Sequence, residues 1–145
     1  MNERIEIYKH IFEISEMAIF TIKDLRRELK TKDNKIKEMF DGIINEYTEF
    51  KNISTKFLKK KKKDFNKTKF MTKIMSSMGI KKEVISDNSD AHMADMLIQG
   101  ISMGTIQTSK LIDQYKCLVK RKDIKLLKNF LKFQQEKIED LKKFL

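Results

Sequence analysis

"KKKKKDFNKTKFMTKIMSSMGIKKEVISDNSD" occupies residues 59–90, and its length decides the fold. The stretch opens on five lysines, Lys59, Lys60, Lys61, Lys62 and Lys63, and closes on residue types that cap helices. Between them Phe70, Met71, Ile74, Met75 and Met78 form one apolar stripe at helical spacing, with Gly79 placed to end it. The spacing predicts a short amphipathic helix over 68–79. That helix lies inside a connection of about 30 residues, where turns between bundle helices usually take about 2–8.

Working outward, a longer helix is expected on each side, and beyond each a second one. Over about 3–30, Tyr8, Ile11, Ser15, Ala18, Ile22, Leu25 and Leu29 recur at steps of three and four, the spacing of one helix face. "TKDN" at 31–34 is a short turn with Asp33 or Asn34 as cap. A helix over about 35–60 follows, with a seam of Ile36, Met39, Ile43, Tyr47, Phe50 and Phe57. So short a turn makes these two helices antiparallel neighbours. Downstream, a helix over about 90–117 starts from a cap in "DNSD", and another covers about 122–145. The last has Ile124, Leu127, Leu131, Gln134, Ile138, Leu141 and Leu145 on its seam, with Gln134 its one polar member. The chain has no proline and four glycines, and no period-two alternation, so it reads as all-α. One domain, 1–145, is expected: a four-helix bundle of two helix pairs. The connection between helices 2 and 3 is long enough to cross the length of the bundle, as against a plain up-down-up-down order.

Composition excludes several classes. Lys and Arg number 32 against 21 Asp and Glu, for a net charge of +11. Lysine supplies 28 of the 32 and isoleucine 19 residues, as an AT-rich genome writes by default, so the excess is discounted as a sign of nucleic-acid binding. The single cysteine, Cys117, rules out an internal disulfide and every multi-cysteine metal motif. No apolar run is long enough to span a membrane, and "MNERIEIYKH" does not read as a signal peptide. A cytoplasmic location is expected.

The helix pair, long connection, helix pair layout resembles the ferritin-like superfamily. The last third, in "MLIQGISMGTI" at 96–106 and "QQEKIEDLKKFL" at 134–145, is similar to a small bacterial family of unknown function within that fold class. Members of that family carry Met-Ile-x-His-His-x-x-Ala-x-x-Met on one helix and Gln-Gln-x-x-Ile on the next. The resemblance implies a histidine pair as metal ligands, but this chain has Gln99 and Gly100 there. Di-iron members also need Glu-x-x-His on two helices, and that motif is absent here. His10, Glu13 and Glu46 are the one set that could hold a metal, with nothing on the last two helices to complete a pair. No cofactor is expected.

Gly100 and Gly104 sit in the middle of the third helix, where each glycine costs about 1 kcal/mol relative to alanine. The leading expectation is that both accept bulky residues such as Phe12, Tyr47 or Phe130. A sharper alternative is a small-ligand hollow at mid-bundle, bordered by Met96, Gln99, Gly100, Met103, Gly104, Gln107 and Gln134. A third reading puts the glycines outside, as a dimer seam.

Catalytic groups are sparse. Ser15, Ser54, Ser76, Ser77 and Thr105 have no histidine at a suggestive spacing, and there is no glycine-rich phosphate loop. Cys117 reads as an ordinary helix-end cysteine, and Glu13 with Glu16, or Glu46 with Glu49, as charges on solvated faces. The chain is therefore expected not to be an enzyme. Residues 1–58 balance at 11 basic and 11 acidic, so the positive excess lies in the connection and the last helix. If the connection crosses the bundle, Lys59, Lys60, Lys61, Lys62 and Lys63 share one end with Lys116, Lys120, Arg121 and Lys122. Lysines without interleaved aromatics make a poor sequence-specific reader of nucleic acid. The reading is a non-enzymatic bundle acting by self-association or with a protein partner. Metal or small-ligand binding at mid-bundle is the alternative, and weak polyanion binding through the basic end the second.

Overall fold

The computed structural model describes residues 2–61 and 87–145. Four helices make up nearly all of these residues, with no strand among them: α1, Asn2–Glu28; α2, Lys37–Lys60; α3, Asp90–Tyr115; and α4, Arg121–Leu141, extended by a 3-10 turn over Lys142–Phe144. None is long and apolar enough to cross a membrane. The short helix expected over 68–79, together with Lys62 and Lys63, lies outside the described residues.

The seams read from the sequence turn inward. Tyr8, Ile11, Ser15, Ile22, Leu25 and Leu29 of α1 and its exit are buried, as are Ile43 and Tyr47 of α2 and Ile124, Leu127, Gln134 and Leu141 of α4. Phe40, Leu58, Phe130 and Phe133 join them although no seam included them. Leu145, placed on the seam of α4, is exposed. Four aromatic rings lock α2 to α4: Tyr47 meets Phe133 edge-on at 4.7 Å between ring centroids, and Phe50 meets Phe130 at 5.0 Å. Burial of such rings contributes about 1.5–3 kcal/mol each, so this face is a main source of cohesion.

Two sets of contacts mark the ends of the bundle. At one end Arg4 and Tyr8 of α1 bond Asp123 of α4, the Tyr8 ring stacks on Phe57 of α2 at 3.8 Å, and the Tyr115 hydroxyl of α3 donates to Glu6. At the other end the Asn34 side-chain amide, in the turn before α2, donates to the Asn88 carbonyl at 2.8 Å and to Asp90 at 2.9 Å, at the start of α3.

Capping follows the sequence at one helix and departs from it at another. Ser89 caps α3, its Oγ accepting from the His92 N–H. At α2 the expected cap does not form. The residue before the helix is Ile36, with no side-chain cap, because Asn34 is engaged with α3. The first turn of α4 is held by Asp123, whose Oδ2 accepts the Lys120 N–H at 3.2 Å.

Candidate functional site

A chain of hydrogen bonds runs through the middle of the bundle and touches all four helices. The Tyr47 hydroxyl of α2 donates to Gln134 Oε1 of α4 at 3.2 Å. Gln134 Nε2 donates to Thr108 Oγ1 of α3 at 3.3 Å. Thr108 donates in turn to the Gly104 carbonyl, one turn back along its own helix, at 2.8 Å. His10 Nε2 of α1 lies 2.8 Å from the same Thr108 oxygen.

Proton counting assigns the histidine. A threonine hydroxyl has one proton and two lone pairs. With the Thr108 proton directed to the Gly104 carbonyl and one Thr108 lone pair taken by Gln134, His10 donates through Nε2–H. Burial lowers its pKa from the ordinary 6.5 to about 4, which keeps it neutral near pH 7. Burial also raises the pKa of the Tyr47 phenol, so its proton stays in the chain. No member of this hydrogen-bond chain is ionised near pH 7, and among the described residues no carboxylate bonds to it. The arrangement can hold four helices in register but is poorly made for acid–base chemistry.

Gly104 and Gly100 part company here. A methyl group on Gly104 would lie 2.6 Å from Gln134 Oε1 and 3.5 Å from Ile14 Cγ2, so the glycine makes room for the hydrogen-bond chain. A methyl group on Gly100 would meet nothing within 4 Å. The expectation that both glycines accept bulky core residues holds in kind for Gly104, though its neighbours are Gln134 and Ile14, and fails for Gly100, which is exposed. The residues drawn round a mid-bundle hollow separate in the same way. Gly104 and Gln134 are buried and Met96 half-buried, while Gln99, Met103 and Gln107 are exposed with Gly100. The Gln99 amide donates to Asp95 on its own helix.

Of the residues considered for a metal, His10 and Glu46 have other partners. His10 bonds Thr108, Glu13 is exposed, and Glu46 pairs with Lys137 at 3.3 Å. Among the described residues no group of three or more His, Cys, Asp or Glu is gathered so as to hold a metal ion. Ser54 and Thr105 turn their hydroxyls back onto carbonyls of their own helices, and Cys117 is exposed. A surface hollow beside the turn between α1 and α2 is lined by charged and polar side chains, several of which have partners. Arg26 forks onto Asp41 at 2.8 and 3.1 Å, and the Lys37 ammonium donates to the Leu29 and Lys32 carbonyls in the turn.

A second buried cluster was not anticipated. Arg4 Nε donates to Asp123 Oδ2 at 2.7 Å and its Nη2 to Oδ1 at 3.3 Å, while the Tyr8 hydroxyl donates to Oδ1 at 2.8 Å. Asp123 is fully buried. Burial pushes its carboxyl up, but the hydrogen bonds from Arg4 and Tyr8, the Arg4 charge and the Lys120 N–H outweigh this and hold it below the usual carboxylate range. Tyr8 is pushed up to about 12, by burial and by the Asp123 carboxylate. The Arg4 guanidinium sits 4.8 Å from the centroid of the Phe57 ring. The one sequence signal was Asp123 three residues after Lys120, where a carboxylate suits the first turn of a helix.

Comparison with known protein families, curated proteins and solved structures finds no match to this chain.

Proposed function

We propose that the chain is a non-enzymatic, ferritin-like four-helix bundle with one long crossover, and that it works by association, first of all with a second copy of itself. The crossover reading is supported by the end contacts. α2 closes at the Arg4 end and α3 opens beside Asn34 at the opposite end, which is the placement a crossover calls for. The non-enzymatic reading is supported by the centre. There a neutral, mutually satisfied set of Tyr47, Gln134, Thr108 and His10 fills the space where a ferritin-like protein would hold metal ligands.

The observation that carries association is the outward face of α3. Met103 is 64 % and Ile106 55 % exposed, and beside them Gly100 leaves open space above the backbone. The helix carries one cation, Lys110, against Asp90, Asp95 and Asp113. The positive excess of the chain lies in the connection and the last helix, so the outward face of α3 stands apart from the charge on which two copies would repel most. Gly100 and the unbranched Met103 allow close approach of a second helix. Sedimentation velocity tests the reading. The wild-type chain should sediment as a dimer at micromolar concentration, and Met103→Lys with Ile106→Lys should sediment as a monomer with its helix content intact. A wild-type chain that stays monomeric, or a double variant that stays dimeric, overturns it.

A further inference from the structure

We propose that the bundle end formed by the close of α2, the α3–α4 turn and the opening of α4 is a peripheral docking surface for an anionic lipid bilayer. The proposal rests on a juxtaposition. Leu118 is 63 % exposed in the turn between α3 and α4. Lys116, Lys120, Arg121 and Lys122 flank it and are exposed too. A second cationic run, Lys59 to Lys61, reaches the same end from a distant part of the sequence. The Lys61 ammonium lies 5.7 Å from the centroid of the Phe57 ring, that ring stacks on Tyr8, and Tyr8 bonds Asp123 in the first turn of α4.

Asp123 is neutralised by Arg4, and the seven cations outnumber Glu6 and Asp113, which keep their charge at this end. None of the seven cations forms an ion pair with a carboxylate among the described residues. An apolar tip ringed by lysines fits the boundary of a bilayer. The leucine enters between headgroups, lysine stems lie along the acyl boundary, and each ammonium near an anionic leaflet strengthens binding about fivefold. A nucleic acid fits less well. Its phosphates would engage the cations but offer nothing to Leu118, and the surface holds one arginine and no aromatic in the turn for stacking on bases.

The test uses the full chain and sedimented vesicles of phosphatidylcholine mixed about two to one with phosphatidylserine. Pure phosphatidylcholine vesicles and a DNA duplex serve as the other two arms. The chain should bind the mixed vesicles, leave the neutral ones, and lose binding as salt rises. Leu118→Ser should weaken vesicle binding on the order of tenfold and leave any DNA binding unchanged. Replacing Lys59, Lys60 and Lys61 by glutamine should weaken vesicle binding by on the order of a hundredfold and flatten its salt dependence. Both changes lie on the surface, and circular dichroism checks that the helices persist. The proposal is overturned if mixed vesicles are not bound, if Leu118→Ser binds them as the wild type does, or if the DNA duplex is bound more tightly than the vesicles. The dispersed Met103→Lys, Ile106→Lys variant should still bind the mixed vesicles, more weakly for want of a second copy. Loss of binding specific to Leu118→Ser in that background keeps this outcome separate from the question of self-association.

Discussion

Gly104 lies against Gln134 so closely that a single methyl group on its α-carbon would stand 2.6 Å from the Gln134 carboxamide oxygen. That oxygen is held in place by the Tyr47 hydroxyl, and the amide nitrogen by Thr108, so the side chain cannot swing aside without giving up both bonds. Gly100, one turn away on the same helix, has no such neighbour.

The two glycines should therefore respond oppositely to alanine. Gly100→Ala gains helix propensity with no steric cost and should stabilise the fold by about 0.5–1 kcal/mol. Gly104→Ala gains the same but displaces Gln134, at a cost of about 1–3 kcal/mol, and should come out destabilised. Urea melts of the two variants check this. Equal stabilisation by both would mean that Gln134 is not pinned.

Arg4 and Asp123 are 119 positions apart in sequence and fully engaged with one another at one bundle end. Arg4→Met leaves a buried carboxylate without its cation and should cost about 3–5 kcal/mol. Adding Asp123→Asn removes the charge while its one amide oxygen keeps an acceptor for either Tyr8 or the Lys120 N–H. The double variant should recover a large part of the loss, and additive losses would show that the pair is not coupled.

Most of the helical frame was legible because helical periodicity is local. Residues such as Ile11, Ile22, Ile43 and Leu127 announce their face by spacing alone, and Gln134 stood out as the one polar residue on its seam. The two glycines could not be told apart in the same way. A step of four residues turns a helix by only about 40° beyond a full turn, and at the rim of a buried stripe that angle divides core from solvent. Asn34 read as a cap because its side chain suits one, but a partner at the start of α3 claimed it. Arg4 and Asp123 carry no mark of their pairing in the sequence, since no local pattern tells a charged residue that its partner lies across the fold. His10 was noticed as a candidate ligand. Its actual partner, a threonine on another helix, leaves no mark in the spacing of either.

The half-buried His10 should make stability depend on pH. His10 has a folded pKa of about 4, below its ordinary 6.5, so the native state binds fewer protons than the unfolded chain in between. The stabilisation is complete above pH 6.5 and is lost as pH falls toward 4, by about 3 kcal/mol in all. His10→Gln does not titrate and keeps an N–H for Thr108. Its stability should stay nearly flat over that window while the wild type declines. Parallel declines would assign the acid sensitivity to other groups.

The central claim is that the middle of this bundle is closed on itself, leaving its outer faces to make contact with other molecules. The most direct measurement is a pH titration of the His10 imidazole by nitrogen-15 NMR, repeated with ferrous iron or zinc added. The expected spectrum shows the neutral Nε2–H tautomer down to about pH 4, unchanged by either metal. An imidazole that titrates near 6.5, or whose resonances shift with one equivalent of metal, would contradict the claim and return His10 to the role of a ligand.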